Sequence, residues 1–333
     1  MTDAKYDVLA IGNAIFDVLV KTDEAFLAAH SMNKGGMALI DEPRAISIYR
    51  DMGPATEMSG GSAANTIVGI ASLGARAAYV GKVKDDQIGR LYSHDIRAAG
   101  VAFDTRPASD GPATGCSYIL VTDDGERTMN TYLGAAQELM PSDIDAAEIA
   151  ASKIIYLEGY LWDPNSAKQA FVKAATLAHG AGRQVALTLS DSFCVDRYRD
   201  EFLDLMRKGT VDLVFANEAE LHSLYQTSDF DTALKALRKD IKLGVVTRSE
   251  KGCVVASQDG VVAVPAVAID RLVDTTGAGD LFAAGFLFGL VRNAGYENAG
   301  RLGALAAAEV IQHIGARPQV SLKELAKQAG LPV

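Results

Sequence analysis

Residues 274–280 read DTTGAGD and run directly into LFAAGFLFGLV, residues 281–291. Two threonines, two glycines and an alanine thus separate two aspartates at the mouth of an apolar run. An ordinary loop-to-helix junction, with Asp or Thr as cap and glycine as turn, accounts for this pattern. A sharper reading also does. With nothing bulky at Gly277, Ala278 and Gly279, the first N–H groups of the helix point forward unpaired and form an anion site. Asp280 then places a carboxylate beside the anion those amides attract. Like charges repel, so the arrangement makes sense if Asp280 has a proton to take.

Outward from this junction the chain alternates short β-branched runs with helical patterns, which predicts βα units around a mostly parallel sheet. The strand candidates are 6–12, 77–83, 153–159, 184–190, 211–217 and 243–249, with helical periodicity over 164–181, 196–208, 217–226 and 230–240. CVVASQDGVVAVPA, from Cys253, reads as a hairpin turned by Asp259–Gly260. Two Ala/Gly/Leu-rich helices follow over 279–314. Segments 33–60 and 101–135 break the rhythm and contain alternating pieces, GGMALID and CSYILVT…RTMNTYLG. They predict a small second sheet, a lid over the strand ends where α/β sheets bind ligands. The expected division is a large α/β unit (1–32, 61–100, 136–333) with a discontinuous lid (33–60, 101–135).

Composition narrows the function. The 333 residues are 49% hydrophobic and 22% charged, with 31 Gly and 9 Pro, ordinary globular values. A net charge of −10 argues against an extended nucleic-acid footprint. MTDAKYDVLAIGN has no basic start leading into a long apolar core, so no secretory leader is expected. The run 281–291 is too short to span a bilayer. Cys116, Cys194 and Cys253 lie far apart in no CxxC pair and read as thiols of a reducing cytoplasm. The five histidines show no metal spacing.

The common phosphate loops are missing. There is no GxxxxGK[ST], no GxGxxG between a first strand and helix, and no HRD or DFG set. Two other segments carry candidate polar groups. SGGSAAN, from Ser59, puts glycines before a helix and Asn65 one turn inside it. GNAIFDVL places Asn13 and Asp17 after the first strand, where a lone Asn or Asp is usually a turn former.

Taken together, GGSAANTIVGIASLGARAAYVGKVKDDQIG and DTTGAGDLFAAGFL resemble the two signature segments of the ribokinase-like (PfkB) family of carbohydrate and nucleoside kinases. The resemblance runs from about Tyr6 to Pro318 with the motifs in family order. It implies an ATP-dependent kinase that transfers the γ-phosphate to an alcohol, with Asp280 as base and Gly277, Ala278 and Gly279 as anion hole. Phosphoryl transfer needs mainly positioning and charge stabilisation, so backbone amides can stand in for a P-loop. By the same resemblance, Asn217 and Glu220 of NEAE organise Mg²⁺ and phosphate through water, although N-x-x-E is also nearly a capping box. Asn217, Thr247, Ser249 and Gly252 fall where the family binds ATP, with Ser249 in place of a common glycine. Arg127 resembles a lid arginine that reaches the phosphates. Asp274 and the Thr276 carbonyl resemble a monovalent-cation (K⁺) site that many members carry. Asn13, Asp17, Gly61 and Asn65 fall around the acceptor. AIGNAIFDVLVKTDEAFL and IIYLEGYLW look closer to the adenosine-kinase branch than to ribokinases, with Tyr160 where an aromatic stacks on the purine. The implied acceptor is a nucleoside, adenosine first, with a ribose- or fructose-type sugar as the alternative. Lid edges could pair between subunits.

Overall fold

All six residues of Tyr6–Ile11 (β1) are buried, as expected of a strand covered on both faces. Around it the computed structural model describes residues 4–333. The chain continues through β2 (Ile15–Lys21), α1 (Glu24–Ala29), β3 (Met37–Leu39), α2 (Glu42–Asp51), β4 (Thr56–Gly60), α3 (Ser62–Ser72), β5 (Ala77–Val80), α4 (Gln87–Ala98) and β6 (Val101–Ala102). Then come β7 (Gly115–Val121), β8 (Arg127–Tyr132), α5 (Ala146–Ala150), β9 (Ser152–Glu158), α6 (Asn165–Gly180), β10 (Gln184–Thr188), α7 (Ser192–Arg207), β11 (Leu213–Asn217) and α8 (Glu218–Tyr225). The last elements are α9 (Phe230–Asp240), β12 (Leu243–Thr247), β13 (Cys253–Ser257), β14 (Val261–Val264), α10 (Ala278–Val291), α11 (Tyr296–Val310) and α12 (Leu322–Gln328).

A nine-stranded sheet runs β14-β13-β12-β11-β10-β9-β1-β5-β6. It is parallel from β6 to β12, and the β13–β14 hairpin adds an antiparallel edge at the turn expected from Asp259–Gly260. Alternate residues of β1 feed two cores. Val8 and Ala10 join α3, α10 and α11 on one face, while Leu9 and Ile11 join α6, α7, α8 and α9 on the other. Helix α10 is buried from Leu281 to Gly289 without a break, because it lies between α3 and α11. Among the described residues no helix is long and apolar enough to cross a membrane.

The second sheet has five strands in the order β3-β8-β7-β2-β4. Two features differ from the sequence reading. The chain leaves β1 through Gly12–Ala14, so β2 joins the small sheet, paired to β4 and β7, although 15–21 was expected in the large unit. Conversely β6 stays with the large sheet beside β5. Within the lid segment 33–60, α2 is a capped helix with Asp41 accepting from the Arg44 N–H, where only strands were expected.

Candidate active site

Helix α10 begins without a side-chain cap. Gly277, at φ 79°, takes the left-handed conformation, and a Cβ there would stand 2.7 Å from the Ala316 Cβ. Both strain and space therefore require glycine. Ala278 donates its N–H to the Thr275 carbonyl at 3.1 Å. Among the described residues, the N–H groups of Gly277, Gly279 and Asp280 find no protein acceptor. The open amides thus differ from the trio Gly277, Ala278 and Gly279. Ala278 is turned back into its loop, and the amide of Asp280 takes its place.

The Asp280 side chain does not cap its own helix. Its Oδ1 accepts from Ser62 Oγ at 2.6 Å and its Oδ2 from Asn65 Nδ2 at 3.0 Å, both from the first turn of α3. Burial pushes its carboxyl up to about 6, opposed by these two donors and by the charge of Arg317. It is a carboxylate at neutral pH with a pKa near that of a working base.

Around it lie acceptors without donors. The Asn65 Oδ1 is buried and has no hydrogen-bond partner. Asp17, on β2 of the lid sheet, receives no hydrogen bond from any described residue, and burial raises it to about 7. Its approach to β4 leaves no room for a Cβ at Gly60, which would fall on the carboxylate. Asn13 is not free in the same way. Its N–H and Nδ2 donate to Glu158 Oε1 at 3.2 and 2.9 Å, and Glu158 Oε2 accepts the Ala63 N–H at 2.8 Å. Glu158, at the end of β9, ties the exit of β1 to the start of α3, and burial raises it to about 7. Gly61 is the N-cap of α3 at φ 97°, and its carbonyl accepts the Asn65 N–H at 2.8 Å.

Arg127 opens β8 and reaches across to the α10 loop. Its Nη2 lies 2.5 Å from Asp274 Oδ2, and its Nη1 donates to Thr276 Oγ1 at 3.3 Å. The Asp274 oxygens also accept the N–H groups of Thr276 and Gly315, each at 3.0 Å. The arrangement does not fit the K⁺ site suggested for Asp274 and Thr276, because a guanidinium already neutralises the carboxylate.

Asn217, Thr247, Ser249 and Gly252, the residues expected to bind ATP, gather at the carboxyl ends of β11 and β12. Ser249 sits at φ 51° and Gly252 at φ 84°. Asn217 and Glu220 form a complete capping box. Glu220 Oε2 accepts the Asn217 N–H at 3.0 Å, and Asn217 Oδ1 accepts the Glu220 N–H at 2.8 Å. Glu220 is buried and raised to about 7. Among the described residues no three His, Cys, Asp or Glu side chains form a metal cluster. The donor set therefore fits Mg²⁺ only as a hydrated ion carried on phosphates. Tyr160, just past β9, is 39% exposed, so it is not core. Its hydroxyl donates to the Ser190 carbonyl at 3.2 Å, and its N–H to Ser190 Oγ at 3.0 Å.

Sequence reasoning missed Ser62, Glu158 and Arg317. A charged residue closing the apolar run KIIYLE was the one available signal, for Glu158. Ser62 lies within the quoted GGSAAN segment, where only Gly61 and Asn65 were singled out, and Arg317 carries no local signature.

The pfkB family carbohydrate kinase model matches residues 53–323. A solved adenosine kinase from Sinorhizobium meliloti is 57% identical, covering 98% of this chain and all of that one, with a TM-score of 0.92. A solved probable sugar kinase from Rhizobium etli CFN 42 is 53% identical over 99% of this chain and all of that one, with a TM-score of 0.93. The 5-dehydro-2-deoxygluconokinase of Shouchella clausii is 27% identical over 96% of this chain and 94% of its own.

Proposed function

The chain belongs to the pfkB family of carbohydrate kinases, ATP-dependent phosphotransferases, and from that premise we propose that it phosphorylates the 5′-hydroxyl of a nucleoside, adenosine first. The observation that carries an alcohol acceptor is the set of unfilled acceptors beside Asp280. Asp17 accepts from no described residue at the edge of the site, and the buried Asn65 Oδ1 is an acceptor without a donor, which is costly. A ribose presents hydroxyls to fill them. Ser62 and Asn65 orient Asp280 to take the proton of the reacting hydroxyl. The amides of Gly277, Gly279 and Asp280 stabilise the charge that gathers on the transferred phosphoryl group. Asn217, Thr247, Ser249 and Gly252 line the nucleotide side. Mg²⁺ would neutralise phosphate charge there, with Glu220 acting on it through water. Arg127 stands within reach of a phosphate at Thr276.

Two observations favour adenosine. Tyr160 is exposed at the end of β9 with its hydroxyl tethered, which leaves a ring face for a base. The 57% identical relative is an adenosine kinase over nearly the same length. The sugar reading draws support from the 53% identical probable sugar kinase. ADP release measured across adenosine, inosine, guanosine, ribose and fructose separates them. Adenosine is expected to give the highest kcat/KM. Fructose or ribose turned over better than adenosine would overturn the nucleoside assignment and leave the kinase intact.

A further inference from the structure

Gly315, Ala316 and Arg317 touch the loop before α10, the first turn of α3 and β4, though they lie beyond both signature segments. The Gly315 N–H donates to Asp274 Oδ2 at 3.0 Å, and Ala316 lies directly under Gly277 of the anion hole. Arg317 then extends to the acceptor side. Its Nη1 donates to the Ala64 carbonyl at 3.0 Å, and its Nη2 to the Ser59 carbonyl at 2.7 Å and Ser59 Oγ at 3.2 Å. Ala64 sits between Ser62 and Asn65, the two residues that hold Asp280. Ser59 belongs to β4 and pairs with Phe16, next to Asp17. Asp95 of α4 fixes Ser59 from the other side, accepting its N–H at 2.8 Å and its Oγ–H at 2.6 Å.

The chemistry of these partners is informative. Arg317 donates to two carbonyls and a hydroxyl, all neutral, and among the described residues no carboxylate lies within ion-pair distance of it. Its charge is therefore not spent in a direct pair. We infer that Arg317 is a positioning residue for phosphoryl transfer: its guanidinium pins the lid strand β4 and the first turn of α3 to the anion-hole loop, and it supplies the enclosed positive charge facing Asp17 and Asp280. This inference rests on the roles proposed above for those two carboxylates.

The surrounding charges agree in sign. Asp17 of β2, Asp95 and Tyr92 of α4 and Tyr79 of β5 face Arg317, and burial lowers its pKa. Burial raises Asp17, Arg317 holds it down more than Arg127 does, and Asp280 opposes both. It likewise lowers Asp280, which also faces Glu158 of β9. Without Arg317 both acceptor-side carboxylates hold their protons to higher pH. A protonated Asp280 accepts no proton, and a protonated Asp17 is a poorer acceptor for sugar hydroxyls.

Arg317→Gln keeps hydrogen-bonding capacity and removes the charge, whereas Arg317→Lys keeps the charge and loses the fork. The test follows kcat and KM for the acceptor that the wild type phosphorylates, from about pH 5 to 9, the span in which a general base titrates. In Arg317→Gln the acid limb of kcat/KM should move up by about one pH unit, as removal of a neighbouring opposite charge predicts. Its deficit then shrinks as pH rises. In Arg317→Lys the limb should stay in place while kcat falls at every pH, by up to about 10²-fold, the effect of a small misalignment. Equal, pH-independent losses in both variants would mean that Arg317 is merely structural and would overturn the inference, as would a wild-type Arg317→Gln profile. If Arg317→Gln does not fold, a wild-type kcat in Arg317→Lys overturns it instead. Asp280→Asn assayed in parallel separates the two layers. If that variant stays active, the base assignment fails whatever Arg317 does. If it is inactive and the Arg317→Gln limb is unshifted, only the present inference fails.

Discussion

Helices α8 and α10 both carry an acid at the third helical position. They use it in opposite ways. At α8, Glu220 turns back onto Asn217, and each satisfies the other's backbone N–H. At α10, Gly277 offers no side chain, and Asp280 turns away to Ser62 and Asn65 of a helix more than two hundred residues earlier. The first helix end is closed by its own carboxylate. The second keeps three amides unpaired with a carboxylate beside them. A helix terminus becomes a chemical site when its orphan donors are left open and the nearby acid is held by something else.

The sharpest way to break this comparison is Asp280→Asn. The substitution keeps size and one acceptor and removes the proton-accepting charge. The kcat should fall about 10²–10⁴-fold, the range for losing a general base, with nucleotide affinity little changed. A variant that keeps more than about a third of wild-type kcat, against that range, removes Asp280 from the role.

Arg127→Ala tests what holds the α10 loop. It leaves the buried Asp274 without a cation, and breaking a buried pair costs about 3–5 kcal/mol. The melting temperature should drop, and KCl should restore part of the loss more effectively than choline chloride, because a small cation can then sit beside Asp274. A melting temperature equal to the wild type's would mean that the Asp274 backbone donors suffice alone.

How much of this was legible in the sequence follows from where the partners lie. Gly277 to Asp280 are consecutive, so an uncapped helix end with an acid beside it could be read from one heptapeptide. The βα rhythm and the β13–β14 hairpin were legible because each is a local pattern. Ser62, Glu158 and Arg317 were not, since each acts on groups from distant segments and a lone Ser or Arg has no periodicity. The diversion of β2 into the second sheet was hidden because Asn13 and Asp17 read as turn formers after the first strand and not as part of a second one. Helix α2 did leave a trace, an Asp41 cap with Pro43 in the first turn and Ala45 and Ile48 buried on one face. Ten residues with two buried positions were too short to stand out.

The buried acids also predict a pH dependence of stability. Asp17, Glu158 and Glu220 are raised to about 7 and Asp280 to about 6, above the unfolded values near 4. A raised folded pKa means that the native state binds the extra protons. The stability these groups contribute is full below about pH 4 and is lost as pH rises through about 6–7. The melting temperature of the ligand-free protein should therefore rise when the pH is lowered from about 8 to about 6. Asp7, held down to about 2 by Lys153 and Arg76 against burial, works in the opposite sense only in more acid solution. A melting temperature that falls over the upper interval contradicts the burial of these carboxylates.

The smallest expected effect belongs to α8. Glu220→Gln can keep the capping box, so stability should change by less than about 1 kcal/mol, within the range for a cap. A Glu220 that also organises Mg²⁺ raises the free Mg²⁺ needed for half-maximal rate. An unchanged Mg²⁺ titration would confine Glu220 to its cap and make the contrast with α10 complete.

The most direct measurement is the pH profile of kcat/KM for the acceptor in the wild type. Asp280, raised to about 6 by burial against Ser62, Asn65 and Arg317, must be ionised to take the proton. The rate should be level only well above about pH 7, decline as Asp17 takes up a proton near 7, and fall at least about tenfold per unit well below 6, where Asp280 is protonated. A profile flat down to about pH 5, with the protein folded, would contradict a base at Asp280 and with it the reading of the α10 terminus as the site of transfer.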